Sequence, residues 1–385
     1  MWRHSEKVRE QWRENAVGDC LNRKISVILP TLNEEEAITR CIQDIRYALP
    51  GAEIIVSDSS DDRTPKIAKA MGAKVVKAER GYGRAYIEGF RHASGEIVVL
   101  CDADGSYNLK EVKKLVEPVI RGEADLVLGS RFLGRMEKGA MPIAHRVGNK
   151  VLTFILNRLF SLNVSDSHTG YRAIRRDALE KLDLKSDGME FASEMLIKAR
   201  AKGLRIAEVP VEYRKRIGKS KLRRFRDGWR HLRLMLLYNP GILMYPGTLL
   251  ALFGLILMVI LFIRGDVERR SMHSFILGGL ALLTGYSSFL FGLMISAYSS
   301  IHGLISSRLA EKVLSYHSLE KELAIGLLMI LGGMAIGLRI VYEWFAADFG
   351  SLEQFSLAVI SLILILAGIQ TVYTAFFLSM LSLER

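Results

Sequence analysis

Glu96-Ile97-Val98-Val99-Leu100-Cys101-Asp102-Ala103-Asp104-Gly105-Ser106 is the stretch on which the fold turns. Its first half is a continuous apolar run, the pattern of a strand buried on both faces of a parallel sheet. The run breaks into Asp-Ala-Asp-Gly, which is turn chemistry, so two carboxylates stand where a strand ends. In open α/β sheets that carboxyl edge is where ligands bind. Paired carboxylates suit a hard divalent cation such as Mg²⁺ or Mn²⁺, and such a cation suits a diphosphate. An isolated Asp-x-Asp also arises as an ordinary solvated turn, so the surrounding sequence has to decide.

Upstream, Lys24–Pro30, Glu53–Val56 and Lys74–Lys77 read as strands, and downstream Ala124–Gly129 reads as another, ending in Ser130-Arg131. Helical spacing fills the gaps: Ile38, Cys41, Ile42 and Ile45 recur on one face, and a second helix runs through Lys66 to Met71. A third opens at Gly81-Tyr82-Gly83-Arg84 and runs to about Ala93. Asn33 reads as an N-cap, with Glu34, Glu35 and Glu36 in a first helical turn. Strands alternating with helices predict a parallel, doubly wound sheet. The Pro30–Glu34 loop and Asp58 lie on the same edge as the Asp-x-Asp, where a carboxylate suits a base N–H or a ribose hydroxyl; the plain alternative is a cap or a turn. Gly81-x-Gly83 is not a dinucleotide fingerprint, because Tyr86 stands at the third glycine position. It reads as a tight turn into a helix, with Arg84 at a helix N-terminus, where phosphate binding is favourable.

The chain has 385 residues, half of them apolar, and a net charge of +12. That combination resolves when the chain is split: the first 240 residues are ordinarily charged, and the rest is mostly long apolar runs. The basic balance suits a phosphate-rich substrate or an anionic membrane surface. Nucleic acid is not the expected partner, because the basic residues thicken towards the apolar segments. Cys20, Cys41 and Cys101 have no metal-ligand spacing, and three thiols argue against a disulfide framework and for a reducing compartment. The segment Met1 to Asn22 has no apolar core of the signal-peptide kind.

Between Arg214 and Arg233 ten Lys or Arg face one acid, Asp227, while Phe225, Trp229, Leu232, Leu236 and Leu237 recur at helical spacing. This predicts a basic amphipathic helix lying on an anionic bilayer. Four runs follow, about 242–263, 275–298, 323–345 and 355–381, each long enough to cross a bilayer core. Four spans put both ends of the chain on one side, and the basic helix predicts that side to be cytoplasmic. Arg308, Lys312 and Lys321 fit that side; Arg264, Arg269 and Arg270, in a far-side loop, fit less well. Gly326, Gly332, Gly333 and Gly337 suit close helix packing, and Arg339 and Glu343 suit an i, i+4 pair. The expected organisation is an N-terminal extension (1–23), a catalytic domain (24–213), an interface helix (214–240) and a four-helix transmembrane domain (241–385).

A longer series of motifs completes the reading. Ser26–Glu34, Val56–Thr64 and Asp102–Ser106 are followed by Gly129-Ser130-Arg131, by Met141-Pro142 with Arg146 and Asn149, and by Asp166-Ser167-His168-Thr169-Gly170-Tyr171-Arg172. Val209-Pro210-Val211 and Arg216-Ile217-Gly218-Lys219-Ser220-Lys221 close the series. In this order they resemble family 2 glycosyltransferases of the GT-A fold, in the branch of dolichol-phosphate mannose synthase and its polyprenyl-phosphate glucosyltransferase relatives. The resemblance covers roughly Lys24 to Leu222 and implies a Rossmann-like, mostly parallel α/β sheet.

It also implies roles. Pro30, Asn33 and Glu34 would line the nucleotide pocket with Arg84, Asp58 would contact the base, and Asp102 and Asp104 would hold Mg²⁺ or Mn²⁺ and the donor diphosphate. Arg131, Arg146, Arg172, Arg216 and Lys221 would contact the acceptor phosphate. Glu190, with Glu194 on the same helix face, would orient the donor sugar or form a solvated helix start. The chain departs from the pattern at Ser57, Leu32 and His168-Thr169, positions that bear on the nucleotide and sugar more than on the reaction. It carries no Gln-x-x-Arg-Trp after Glu194, the mark of processive synthases. The implied activity is inverting, metal-dependent transfer of one hexose from a nucleotide diphosphate sugar, of GDP-mannose or UDP-glucose type, to polyprenyl or dolichyl phosphate. The expected location is a multi-pass membrane protein with a cytoplasmic catalytic domain, on the cytosolic face of the ER in a eukaryote. The alternatives are a transferase acting on a lipid hydroxyl such as ceramide, with Glu190 or Glu194 as base, and a membrane nucleotide-sugar binding protein without turnover.

Overall fold

The computed structural model describes residues 24–218, 224–265, 267, 271–302, 319–350 and 354–383. The expected N-terminal extension, Lys221, Arg269, Arg270, Arg308 and Lys312 lie outside the described residues. Two compact units divide between Met235 and Leu236, inside the segment expected as a separate interface helix.

The first unit is built on seven strands: β1 (Ile25–Thr31), β2 (Glu53–Asp58), β3 (Lys74–Lys77), β4 (Ile97–Leu100), β5 (Leu126–Ser130), β6 (Arg172–Arg175) and β7 (Ile206–Pro210). They lie in the order β3-β2-β1-β4-β6-β5-β7. β1, β2, β3 and β4 pair in parallel, as do β5 and β7. β6 runs antiparallel to both β4 and β5, so the sheet is mixed and mostly parallel, as expected. The reversal has a positional effect. Arg172, the first residue of β6, stands opposite Leu100, the last of β4, so the loop that feeds β6 arrives at the same edge as Asp102.

Alternation along the strands divides the core. Val27 and Leu29 of β1 pack with Val99 of β4 against α1 (Ile38–Ala48) and α4 (Val112–Ile120). α2 (Thr64–Ala70) adds Ala68 to this layer. Ile28 meets α3 (Tyr82–His92), where Gly89 allows the approach: a Cβ there would lie 2.5 Å from Ile28 and 2.7 Å from the Ser57 hydroxyl. Asn33 is not an N-cap. It adopts φ 53° in the loop after β1, and α1 starts only at Ile38.

α5 (Ile143–Phe160), α6 (Arg176–Glu180) and α7 (Phe191–Ala201) complete the layers. α5 buries Thr153 and Leu156 but leaves Ile143, Val147, Val151 and Phe154 in a single exposed stripe, Ile143 81% and Phe154 70% accessible. α8 (Arg224–Tyr238) is the expected basic helix, shorter than the 214–240 segment. Its His231 is buried, and the ring Nδ1 lies 2.8 Å from the Ser193 hydroxyl of α7.

In the second unit, α9 (Gly241–Arg264), α10 (Met272–Ile301), α11 (Leu319–Ala346) and α12 (Phe355–Ser382) are each long and apolar enough to cross a membrane. α9 packs along α10, α10 along α12, and α12 along α11. Small residues set the approach, as lipid-embedded pairs require: a Cβ on Gly254 would lie 2.4 Å from the Gly278 carbonyl oxygen, and one on Gly333 2.8 Å from that of Ser361. Gly326 likewise faces Gly368, whereas a Cβ on Gly332 would meet nothing within 4 Å among the described residues. Tyr286 and Thr371 share a hydrogen bond of 2.7 Å, and Ser287 donates to the Gln370 side-chain carbonyl at 3.1 Å, tying α10 to α12. Arg339 pairs with Glu343 at 2.8 Å.

Candidate active site

The carboxyl ends of β1, β2 and β4 gather the acidic groups. After β1, the Asn33 N–H donates to the Ser60 hydroxyl and its side-chain oxygen accepts from the Asp61 N–H, stitching this loop to the one after β2. Glu34 is held by its own N–H, which donates to Thr64 Oγ1 at 3.0 Å. Pro30 lies in β1 opposite Ser57. Asp58 is buried: Thr31 donates to Oδ1 at 2.7 Å and the Ser60 N–H to Oδ2 at 3.2 Å. Both oxygens therefore help to build the loop before any ligand is considered.

Asp102 and Asp104 follow β4. The Tyr82 hydroxyl donates to Asp102 Oδ1 at 2.9 Å. Burial, and then the neighbouring Asp104 charge, push the Asp102 carboxyl up to about 7, while Tyr82, Arg131 and Arg216 pull it the other way. The Ser106 N–H donates to Asp104 Oδ1 at 2.9 Å, and the Ile217 N–H donates to the Asp104 carbonyl at 2.8 Å. Arg216 Nη2 stands 3.2 Å from Glu34 Oε1 and 3.6 Å from Asp104 Oδ2. One guanidinium thus bridges the β1 loop and the Asp-x-Asp turn. Among the described residues no three acidic, His or Cys side chains group as a ready metal cage. Asp102, its charged form destabilised by burial and by Asp104, would still fit with Asp104 around a hard cation, whose other ligands would be donor oxygens and water, the habit of Mg²⁺.

Arg131 ends β5. Its Nε and Nη2 form a two-pronged pair with buried Asp166, both at 2.7 Å, and its guanidinium lies 5.3 Å from the Tyr213 ring centre. The desolvated pair keeps Arg131 charged, its pKa held above the ordinary value by Asp166 despite burial. Arg172 differs from its expected role. It is buried and donates to the carbonyls of Ser167, Thr169 and Ala192 at 2.8–2.9 Å, which makes it a brace for the 166–172 loop rather than a hand for phosphate. Arg146 stands exposed in the first turn of α5 and engages none of these groups.

Arg84 also departs from expectation. The Asp187 carbonyl accepts from the Gly83 and Arg84 N–H groups and so occupies the N-terminus of α3. The Arg84 side chain pairs with Glu79 and Asp187 in solvent. Of the two helix glutamates, Glu194 is buried and bound by Lys198 at 2.8 Å and by the N–H groups of Lys185 and Ser186, so it is structural and unsuited to act as a base. Glu190 keeps a buried Oε2 with no hydrogen-bond partner among the described residues, 4.0 Å from Arg230. Sequence reasoning overlooked Tyr82, although the Gly81-x-Gly83 turn around it was the visible signal.

Comparisons with known proteins agree over both units. The description "Glycosyl transferase family 2" matches residues 26–183, and "Glycosyltransferase family 2 C-terminal transmembrane region" matches 294–382. The chain is 38% identical over 366 residues to the low-salt glycan biosynthesis hexosyltransferase Agl6 of Haloferax volcanii, 93% of this chain and 89% of that one. It is 36% identical over 208 residues to a dolichyl-phosphate hexose transferase of the same organism, 53% of this chain and 89% of that one. Among solved structures, glucosyl-3-phosphoglycerate synthase from Mycobacterium tuberculosis, in complex with Mn²⁺, UDP and glucosyl-3-phosphoglycerate, matches with TM-score 0.47 and 28% identity. That match covers 58% of this chain and 81% of the other.

Proposed function

Because the chain belongs to glycosyl transferase family 2 and is a multi-pass membrane protein, we propose that it transfers a single hexose from a nucleotide diphosphate sugar to a polyprenyl or dolichyl phosphate. Transfer takes place at the cytoplasmic membrane face, with inversion and with Mg²⁺ or Mn²⁺. The observation that carries the reading is the meeting of Glu34, Asp104 and Arg216 beside Asp102 at one sheet edge, with Arg131 close enough to act on the Asp102 charge. The dolichyl-phosphate hexose transferase relative supports the acceptor class.

In this reading Asp102 and Asp104 hold the metal, which when bound supplies positive charge to the leaving diphosphate. Glu34 and Asp58 border the nucleoside. Arg131 is held by Asp166 in one orientation, so its charge is pre-aimed rather than recruited. A phosphomonoester has a second pKa near ~6, so the acceptor is already a nucleophile at neutral pH and needs no base. Catalysis then rests on alignment. Glu190 Oε2, without a donor among the described residues, accepts from a hydroxyl of the donor sugar.

The test is a panel of radiolabelled UDP- and GDP-sugars offered with polyprenyl phosphate and read by lipid extraction. One donor should give metal-dependent, lipid-soluble label that mild acid releases. Label appearing only with ceramide, or with no lipid at all, would overturn the acceptor assignment.

A further inference from the structure

The Gly81-Tyr82-Gly83 turn has no part in the chemistry above, yet its surroundings aim one atom. The Gly83 and Arg84 N–H groups donate to the Asp187 carbonyl at 3.0 and 3.3 Å. A Cβ on Gly83 would lie 1.9 Å from the Ser186 carbonyl oxygen, so the start of α3 is pressed on the 186–187 backbone as only glycine allows. The Tyr82 ring packs edge-on against Tyr86, with centres 5.1 Å apart, and against Phe191 at 6.4 Å. Backbone and ring together leave the hydroxyl on Asp102 Oδ1. On the other side of that carboxylate, glycine at 170 leaves the room that any side chain would take. A Cβ on Gly170 would lie 2.4 Å from Asp102 Oδ2 and 2.7 Å from the Tyr82 hydroxyl.

We propose that Tyr82 is a positioning residue for the divalent cation: its hydroxyl fixes the Asp102 carboxylate through Oδ1 and leaves Oδ2 to the metal. The proposal rests on the metal-dependent reading above. Groups that hydrogen-bond a ligating carboxylate set its orientation, and their loss typically lowers metal affinity ~10–100-fold. Phenylalanine at 82 would keep the ring contacts and remove only the donor. Tyr86 supplies the internal control: it belongs to the same aromatic cluster, and its buried hydroxyl faces Tyr82 and makes no hydrogen bond to Asp102 among the described residues.

The experiment titrates Mn²⁺ into the full-length, detergent-solubilised protein with saturating UDP, and follows the free-ion signal by electron paramagnetic resonance. Tyr82→Phe should raise the Mn²⁺ dissociation constant about tenfold without lowering the melting temperature, and Tyr86→Phe should leave it at the wild-type value. In turnover, Tyr82→Phe should raise the Mn²⁺ concentration for half-maximal rate and leave kcat near wild type at saturating metal. Equal Mn²⁺ affinity in wild type and Tyr82→Phe overturns the positioning role alone. So does a matching loss in Tyr86→Phe, which would assign the effect to the loss of any hydroxyl from this cluster and not to the bond with Asp102. Wild type that binds no Mn²⁺ in the presence of UDP overturns the metal-dependent reading and this inference with it.

Discussion

Arg172 commits its guanidinium to three backbone carbonyls, and those of Ser167 and Thr169, which lie outside the helices, would lose this partner in Arg172→Ala. A buried acceptor without a partner costs ~1–3 kcal/mol, so this variant should lose about 3 kcal/mol or more and melt well below wild type. Arg131→Ala is a poor probe of the acceptor for a related reason. It strands buried Asp166, and breaking such a pair costs ~3–5 kcal/mol. Arg216 is the cleaner probe, being partly exposed and bridging Glu34 and Asp104 without a buried mate. Arg216→Ala should reduce kcat/KM for the lipid phosphate roughly ten- to a hundredfold, the weight of ~1.5–3 kcal/mol for a charged contact. Normal kinetics on a short, soluble polyprenyl phosphate would instead make Arg216 a membrane-docking residue. Asp104→Asn should remove most activity, because an amide is a poor ligand for a hard cation. Full turnover in excess EDTA would end the metal assignment.

Among the elements, α8 is tied to α7 by a titratable group. His231 is buried against Ser193, its ring 4.3 Å from that of His168. Burial, and then the Arg172 charge, pull the His231 pKa from 6.5 down to about 4. His168 is also pulled down, by burial and then by His231. The folded state therefore binds fewer protons than the unfolded one below pH 6.5. Stability is complete above that value and is lost as pH falls towards 4, by up to about 3 kcal/mol for His231. Melting temperature measured across this window should fall with acidification, and His231→Gln should flatten the slope.

The same scale shows what the sequence discloses and what it withholds. β1, β2, β4 and β5 are legible because apolar runs end in turn residues. β6 is not: Arg-Ala-Ile-Arg is too short and too charged at its ends to read as a buried strand, and its partners are distant in sequence. Asn33 has the composition of a cap, but its side-chain bond goes to the loop after β2, a tertiary partner that no local rule contains. Asp102 and Asp104 were readable from strand-then-turn order; the Tyr82 contact needs the Gly83–Ser186 approach, which only the fold reveals.

At the scale of the whole molecule, the described residues hold four helices long and apolar enough to cross a membrane, and four crossings would return the chain to its starting side. With the catalytic unit on the cytoplasmic face proposed above, a reporter fused after Arg385 should lie on that same side, and a tag near Gly350 should be reached from outside intact cells. Protection of that tag until lysis would contradict the topology.

The stripe on α5 carries a practical consequence for anyone preparing this protein. Truncation before α9 would remove every span yet keep Ile143, Val147, Val151 and Phe154 in water. Covering each such side chain gains ~1.5–3 kcal/mol. The freed catalytic half should therefore self-associate in sedimentation runs or float with liposomes, and detergent should remain necessary after the anchor is gone. Exchanging those four side chains for serine should make the truncated half monodisperse without added amphiphile.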